Sequence, residues 1–462
     1  MHYEKLPDGS VKCIEDEIPF ELPQWWEWTF LSNIVCVLNG DRGQNYPAKN
    51  KLQNEGIPFV SASNIEDGVV SADGLLCLSD AQYNALGAGK LVSGDIVYCI
   101  RGSLGKCGLF TMEKGAIASS LVIVRSILDN THVRDYIFLY LNSAFADEEI
   151  KKYDNGSAQP NLAAKDFTHF LVPIPPQKEM QRINEQAQKA LGYVKSIQNS
   201  KSELCDAIAM TKSKILGLAI RGKLVPQDPN DEPASVLLER IKAEKEELIK
   251  QGKIKRDKKE SVIFKGEDNS YYLKIGNLTE TLDDWRIDDI PDSWGVCCLG
   301  EVCDYGNCTN VDTKDIPETA WILDLEDIEK DTGKVLQKLT LKERNSASTK
   351  HSFHKGQVLY SKLRPYLNKV VLADDEGYCT SEILPLDFND MVYPKYARYY
   401  LMSPTFLKYA NYCSYGVKMP RLGTNDGKKA ILTVPPLQEQ HRIVNAIETI
   451  FAKLDEIANA LS

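Results

Sequence analysis

The sequence has no run of about 18 uncharged apolar residues, the length a membrane-spanning helix needs. Its first residues, MHYEKLPDGS, carry no apolar core behind a basic start. Neither a secretory signal nor a membrane span is therefore read, and the expected location is the cytoplasm. Catalytic signatures are missing as well. There is no Walker-type G-x-x-x-x-G-K-[ST] loop, and Gly87-Ala88-Gly89-Lys90 is a lone Gly-x-Gly of the kind that marks a turn. An amino-methyltransferase would show an Asp/Asn/Ser-Pro-Pro-aromatic motif, whereas the double prolines here sit in Ile174-Pro175-Pro176-Gln177 and Val434-Pro435-Pro436-Leu437. The six histidines are dispersed; His351 and His354 are close together but lack an obvious third ligand. Asp292 with Asp312-Thr313-Lys314 loosely matches an acidic-x-Lys nuclease pattern, too short and degenerate to carry a site. The expectation is a binding protein without a metal.

Cysteine is plentiful but unpaired in pattern. The twelve include a cluster at Cys297, Cys298, Cys303 and Cys308, yet no C-x-x-C knuckle or nearby His pair accompanies it. Several lie in apolar, strand-like runs, where a reduced thiol acts as a small core residue. The hydrophobic fraction of 43% and charged fraction of 26% are those of a globular protein. A formal net charge of -10 argues against nucleic acid as a partner for the whole surface, although phosphates respond to local fields. Acidic residues crowd the connecting segments Asp228 to Glu232 and Glu244 to Glu247.

What the chain does contain is itself, twice, at an offset of about 260 residues, which suits a duplicated domain and not a solenoid. LPQWWEWTFLSNI (22–34) matches IPDSWGVCCLGEV (290–302), pairing Trp26 with Trp294. SGDIVYCIRGSLGKCGL (93–109) matches KGQVLYSKLRPYLNKVV (355–371), and DYIFLYLNSAF (135–145) matches KYARYYLMSPT (395–405). FLVPIPPQKEMQRI (170–183) matches AILTVPPLQEQHRI (430–443). Each half then runs from an aromatic opening through mixed strands and turns to a Gly-x-x-x-Pro element, Gly156 to Pro160 or Gly416 to Pro420. A Pro-Pro step follows and opens a long helix, a place where proline is tolerated.

Those helices carry apolar residues at alternating three- and four-residue steps. Ile183, Val194, Ile197, Leu204 and Ile208 mark the first, over roughly 177–217; Ile443, Ile450, Leu454 and Ile457 mark the second. A heptad seam asks for a partner helix. Each helix could lie on its own domain, but seam length and matched register favour the two packing on each other. Between the halves, GKLVPQDPNDEPASVLLERIKAEKEELIKQGKIKRDKKE (222–260) reads as a proline-punctuated connector, an exposed charged helix from Ala234 to Gln251, and a basic run from Lys253 to Lys259.

Two polar, basic turns stand at equivalent places. Arg101-Gly102-Ser103-Leu104-Gly105-Lys106 follows the apolar strand Ile96 to Ile100; Lys362-Leu363-Arg364-Pro365-Tyr366-Leu367-Asn368-Lys369 follows Val358 to Tyr360. Arginine and lysine grip phosphates, and arginine also bonds guanine through two hydrogen bonds. Upstream of the second turn, Lys342, Arg344, Lys350 and Lys355 are expected to add local positive charge.

Taken in order, these segments resemble the specificity subunits of type I restriction-modification systems. The resemblance covers nearly the whole chain. It rests on the doubled Trp26 and Trp294 openings, GDIVYCIRGSLGK and YSKLRPYLNK, the helix starts PIPPQKEMQRI and VPPLQEQHRI, and above all IRGKLVPQDPNDEPASVLLERIKAE. It implies an α+β protein in which two duplicated mixed α/β target recognition domains are separated by an antiparallel two-helix coiled coil with pseudo-twofold symmetry. The implied divisions are 1–21 (a segment matching 260–289), 22–176 (first recognition domain), 177–217 (long helix), 218–289 (linker with charged helix), 290–435 (second recognition domain) and 436–462 (C-terminal helix).

The resemblance further implies a non-catalytic reader of a bipartite double-stranded DNA target with a fixed gap. Two modification (methyltransferase) subunits would dock on it, and through them restriction (motor-nuclease) subunits. S-adenosylmethionine, ATP and magnesium would reside in those partners. DNA contact is carried onto Arg101, Ser103, Lys106, Lys362, Arg364, Tyr366 and Lys369, with Asn161 and Arg421 after the Gly-x-x-x-Pro elements. Two other readings are a separately encoded reader for a fused methylase-nuclease and a coiled-coil scaffold with no DNA role. The second helix stops at Ser462, short of the length of the first, which reads as the family's permuted repeat arrangement or as an allele with weaker docking.

Overall fold

In the computed structural model of the chain, residues 3–5, 8–153, 160–252, 261–268, 270–275, 278–282, 290–388 and 392–461 are described. The basic run Lys253 to Lys259 and Gly156 of the first Gly-x-x-x-Pro element lie outside them. Two compact units result, Met1–Gln198 and Asn199–Ser462.

In each unit a strand buried along its whole length forms the centre, because both of its faces are covered. Ile96–Cys99 pairs antiparallel with Leu121–Ser126 on one side and Cys107–Leu109 on the other. Ile96, Tyr98, Val122 and Val124 face one apolar cluster; Val97, Cys99, Leu121 and Ile123 face another. The full sheet runs Val35–Asn39, Leu121–Ser126, Ile96–Cys99, Cys107–Leu109, Val69–Val70, Ile65–Glu66. In the second unit Val358–Ser361 lies between Val370–Leu372 and Ile383–Leu386. Val358, Tyr360, Leu384 and Leu386 again face one cluster, and Leu359 and Ile383 the other.

The helical part repeats down to single hydrogen bonds. The opening strand Glu27–Phe30 pairs with Leu171–Ile174, and Gly295–Cys298 pairs with Ile431–Val434. On the helix Thr131–Leu141, the hydroxyls of Tyr136 and Tyr140 donate to the carbonyls of Pro173 and Leu171. On Pro394–Leu401, Tyr396 and Tyr400 donate to Thr433 and Ile431 at 2.9 and 2.7 Å. After each of these strands the Pro-Pro step opens a helix, Gln177–Ala219 and Leu437–Ala460.

The apolar seam is covered only in part. In the second unit Ile215, Leu216 and Ala219 share a core with Ile443, Val444 and Ile447, and Ile450, Phe451 and Leu454 pack against it. Lys212 pairs with Asp455 and lies over the Phe451 ring at 5.3 Å, so the two helices run antiparallel. Ile208 is buried. The expectation fails at Val194, Ile197, Leu204 and Ile457, which are exposed, and at Ile183, which packs against the first unit's own core. For Leu204 the reason is reach, whereas Ile457 lies within the paired stretch and is exposed all the same. With Lys212 opposite Asp455, the helix end at Ala460 stands opposite about residue 207, one and a half turns further.

The segment after the long helix seals the second opening. The helix ends in a Schellman turn, with Lys223 N–H on Leu218 O at 3.0 Å and Gly222 at φ +67°. A Cβ on Gly222 would stand 2.4 Å from Pro291. Gln227 donates to Glu439 at 2.6 Å, Trp294 Nε1 donates to the other oxygen at 3.0 Å, and Arg442 pairs with Asp231 at 2.6 Å. The charged helix, expected from Ala234, spans Ala234–Lys250 and buries Ala234, Leu237 and Ile241 against this core.

Burial raises the Glu439 carboxyl above its ordinary 4.5, against the opposing pull of Gln227, Trp294 and Arg442. A raised folded pKa means the folded state holds its proton longer. The contribution of Glu439 to stability is then fullest below pH 4.5 and is lost as pH rises through the folded value. Melting temperatures taken upward from about pH 5 should therefore fall more for the native chain than for Glu439→Gln, which has no proton to release. Parallel pH profiles would refute this.

Candidate nucleic-acid interface

Each central strand ends in its basic turn, and in both units the residues after the Gly-x-x-x-Pro element are hydrogen-bonded onto that turn. Gly102 N–H donates to Pro160 O at 3.1 Å, and Leu162 N–H to Ile100 O at 2.9 Å. The counterparts are Arg364 N–H to Pro420 O at 2.7 Å and Leu422 N–H to Lys362 O at 3.0 Å. Bridges Arg101 to Asn161 and Leu363 to Arg421 complete the match. Cys99 Sγ donates to Arg101 O at 3.1 Å, and Ser361 Oγ to Leu363 O at 3.0 Å. Sequence reading named these pieces separately; the fold joins them across about 60 residues in each half.

The sequence-derived cations then divide by role. Lys106 Nζ donates to Ala62 O at 3.0 Å, and Lys369 Nζ to Leu325 O at 2.7 Å. Both tie the turn to a neighbouring one-turn helix, Ala62–Asn64 or Leu325–Asp327. Burial lowers the Lys369 pKa, with Asp327 opposing. Arg421 is held by Glu382 through two nitrogens, Nε at 3.1 Å and Nη2 at 2.9 Å. Its charge is thus largely neutralised within the chain.

Arg101 donates from its Nε to Asn161 Oδ1 at 3.0 Å and forms no ion pair among the described residues. Among the described residues, Lys362 and Arg364 form no ion pair, and Arg364 Nε is buried without a hydrogen-bond partner. Arg364 also has φ +49° where its counterpart Gly102 has +81°. A side chain there costs about 1–2 kcal/mol, so arginine is held at a position that suits glycine. Ser103 is exposed, and Tyr366 is 49% exposed beside Arg364.

One expectation is overturned. Arg344 and Lys350 add no positive surface, because their side chains are only 7% and 3% exposed and face Asp324, Glu326 and Asp327. Lys342 stands 3.9 Å from Glu318. Only Lys355 of that group is exposed without a side-chain ion pair among the described residues.

Residues considered for chemistry have structural surroundings. Lys314 stands 3.7 Å from Asp312, His351 Nδ1 lies 2.9 Å from Ile383 O, and His354 Nε2 lies 3.1 Å from Asp387. Burial pushes the Cys107 thiol up to about 12 and those of Cys303 and Cys379 higher still. Among the described residues no group of three or more His, Cys, Asp or Glu is placed to hold a metal ion, and no helix is long and apolar enough to cross a membrane.

The family model described as "Type I restriction modification DNA specificity domain" matches residues 23–204 and 291–462. The chain is 24% identical over 518 aligned positions to the EcoEI specificity subunit of Escherichia coli, covering 98% of this chain and 82% of that one. It is 26% identical to the EcoDI subunit of Escherichia coli, over 69% of this chain and 64% of that one. It is 30% identical to the EcoAI subunit of Escherichia coli, over 65% of this chain and 54% of that one. The match thus spans a little over half to about two-thirds of the EcoAI and EcoDI subunits. A solved structure from a study of complex assembly in a type I R-M system superposes with TM-score 0.59 at 17% identity, covering 96% of this chain and 94% of the other.

Proposed function

Since the chain belongs to the type I restriction-modification DNA specificity family, we propose that it is the non-catalytic subunit that reads a two-part double-stranded DNA target. The carrying observation is the turn built twice with the same hydrogen bonds, each presenting an arginine that has no acidic partner among the described residues, Arg101 in one unit and Arg364 in the other. Two copies of one reading head suit two half-sites. The long helix has 43 residues, about 65 Å at 1.5 Å per residue. That is near two turns of duplex, so a helical spacer of this length would set the gap. A pseudo-twofold arrangement of the two heads follows from the same reading.

Two modification subunits would bind this chain and supply S-adenosylmethionine and the adenine-methylating site, including base flipping. Restriction subunits would join through them, bringing ATP and magnesium, and the assembly would work in the cytoplasm. The test is co-expression with a modification subunit in a methylation-free host. A complex that methylates adenine in one two-part motif only when this chain is present supports the function. A stable complex that never methylates points to another enzyme class, and no complex at all points to a scaffold.

A further inference from the structure

Between the helices Pro404–Cys413 and Thr424–Lys429 the chain makes a short hairpin. Tyr415 and Arg421 exchange both backbone hydrogen bonds, at 3.1 and 2.9 Å. Residues 416–420 are thereby closed into a tight tip, which Gly416 enters at φ +100°. What the tip displays is apolar. Val417 is 102% exposed, Met419 48% and Tyr415, at the base, 63%.

A single exposed apolar residue is ordinary. This group differs because it is braced. Arg421 Nη1 donates to Met419 O at 3.4 Å while its other nitrogens hold Glu382. Pro420 O accepts the Arg364 N–H, which fixes the tip directly beside the basic turn. No acidic residue occurs from Ser414 through Leu422, and the charge at the tip itself is Lys418. The Arg421–Glu382 pair, unhelpful as a phosphate contact, acquires a purpose as the brace of this hairpin.

We propose that the tip formed by residues 416–420 enters a DNA groove at the edge of the second half-site and presses Val417 and Met419 against a base step. This rests on the DNA-reading function proposed above. Duplex DNA is favoured over a protein surface because the tip continues the turn that presents Lys362 and Arg364. Apolar side chains pushed between base steps partly unstack them, and the cost depends on the step. The tip would therefore contribute specificity without a hydrogen bond to any base.

The test uses the full chain assembled with its modification subunits on duplexes bearing its mapped target. 2-Aminopurine is placed at successive positions of the second half-site. One step should brighten on binding by the native chain and stay dim with Val417→Ser/Met419→Ser. That variant should also bind the target about tenfold more weakly while keeping its salt slope, since no phosphate contact is removed. Equal emission and equal affinity would overturn the proposal. So would a variant that loses modification subunits but unstacks DNA normally, which would make the tip a protein-docking surface. If the native assembly fails to select any duplex, the DNA-reading function itself is wrong, and that result comes from the native protein alone.

Discussion

Replacing Lys362 and Arg364 together with alanine lowers the affinity of the assembled subunit for its target by about a hundredfold and flattens its salt dependence. Both side chains sit on a turn whose backbone is fixed by Pro420 and Leu422, and neither is spent on an ion pair among the described residues. Each lost phosphate contact should reduce the slope of log affinity against log salt by roughly 0.9, and each lost bidentate base contact should cost about 1–3 kcal/mol. Anisotropy titrations from about 50 to 200 mM salt read both quantities. Lys355→Ala, before the strand Val358–Ser361 and so at its far end from the turn, is the surface-charge control. An unchanged slope in the double variant would remove this turn from the interface.

Arg344→Ala should act on stability and leave the salt slope alone. The guanidinium contacts Asp327, Glu326 and Asp324, and Asp327 has no exposed surface. Asp324 N–H and Gln337 Nε2 also donate to Asp327, each at 2.8 Å. These bonds keep the carboxylate in place but do not replace the lost cation. Removing one partner of a buried pair costs about 3–5 kcal/mol because the other charge is stranded. Arg344→Lys keeps the charge without the planar fork and should fall between. Urea denaturation distinguishes the cases. A loss below about 1 kcal/mol, the range of a surface pair, would show that the network carries little.

The duplication was legible because matched segments kept one register. The long helices were legible because a Pro-Pro step and a three-four apolar rhythm are local signals. How much of the seam is covered was not local. It depends on antiparallel pairing that sets Lys212 beside Asp455 and so leaves Leu204 beyond the partner's end. Charge was misjudged for a related reason. Arg344 and Lys350 look like free cations in the sequence, whereas Asp324, Glu326 and Asp327 are brought to them only by folding. Arg421 has the same history with Glu382, 39 residues away. Arg101 and Asn161 were chosen separately in the sequence, and the fold joins them at 3.0 Å.

The central claim is that the two turns read separate halves of one target. Mapping N6-methyladenine across the genome of a methylation-free host tests it most directly. The modification subunit would be expressed with the native chain, with Arg101→Ala, or with Lys362→Ala/Arg364→Ala. The native chain should yield a two-part motif with a fixed gap, Arg101→Ala should relax one part only, and the double variant should relax only the other. A single undivided motif, or two variants that disturb the same part, would contradict the account.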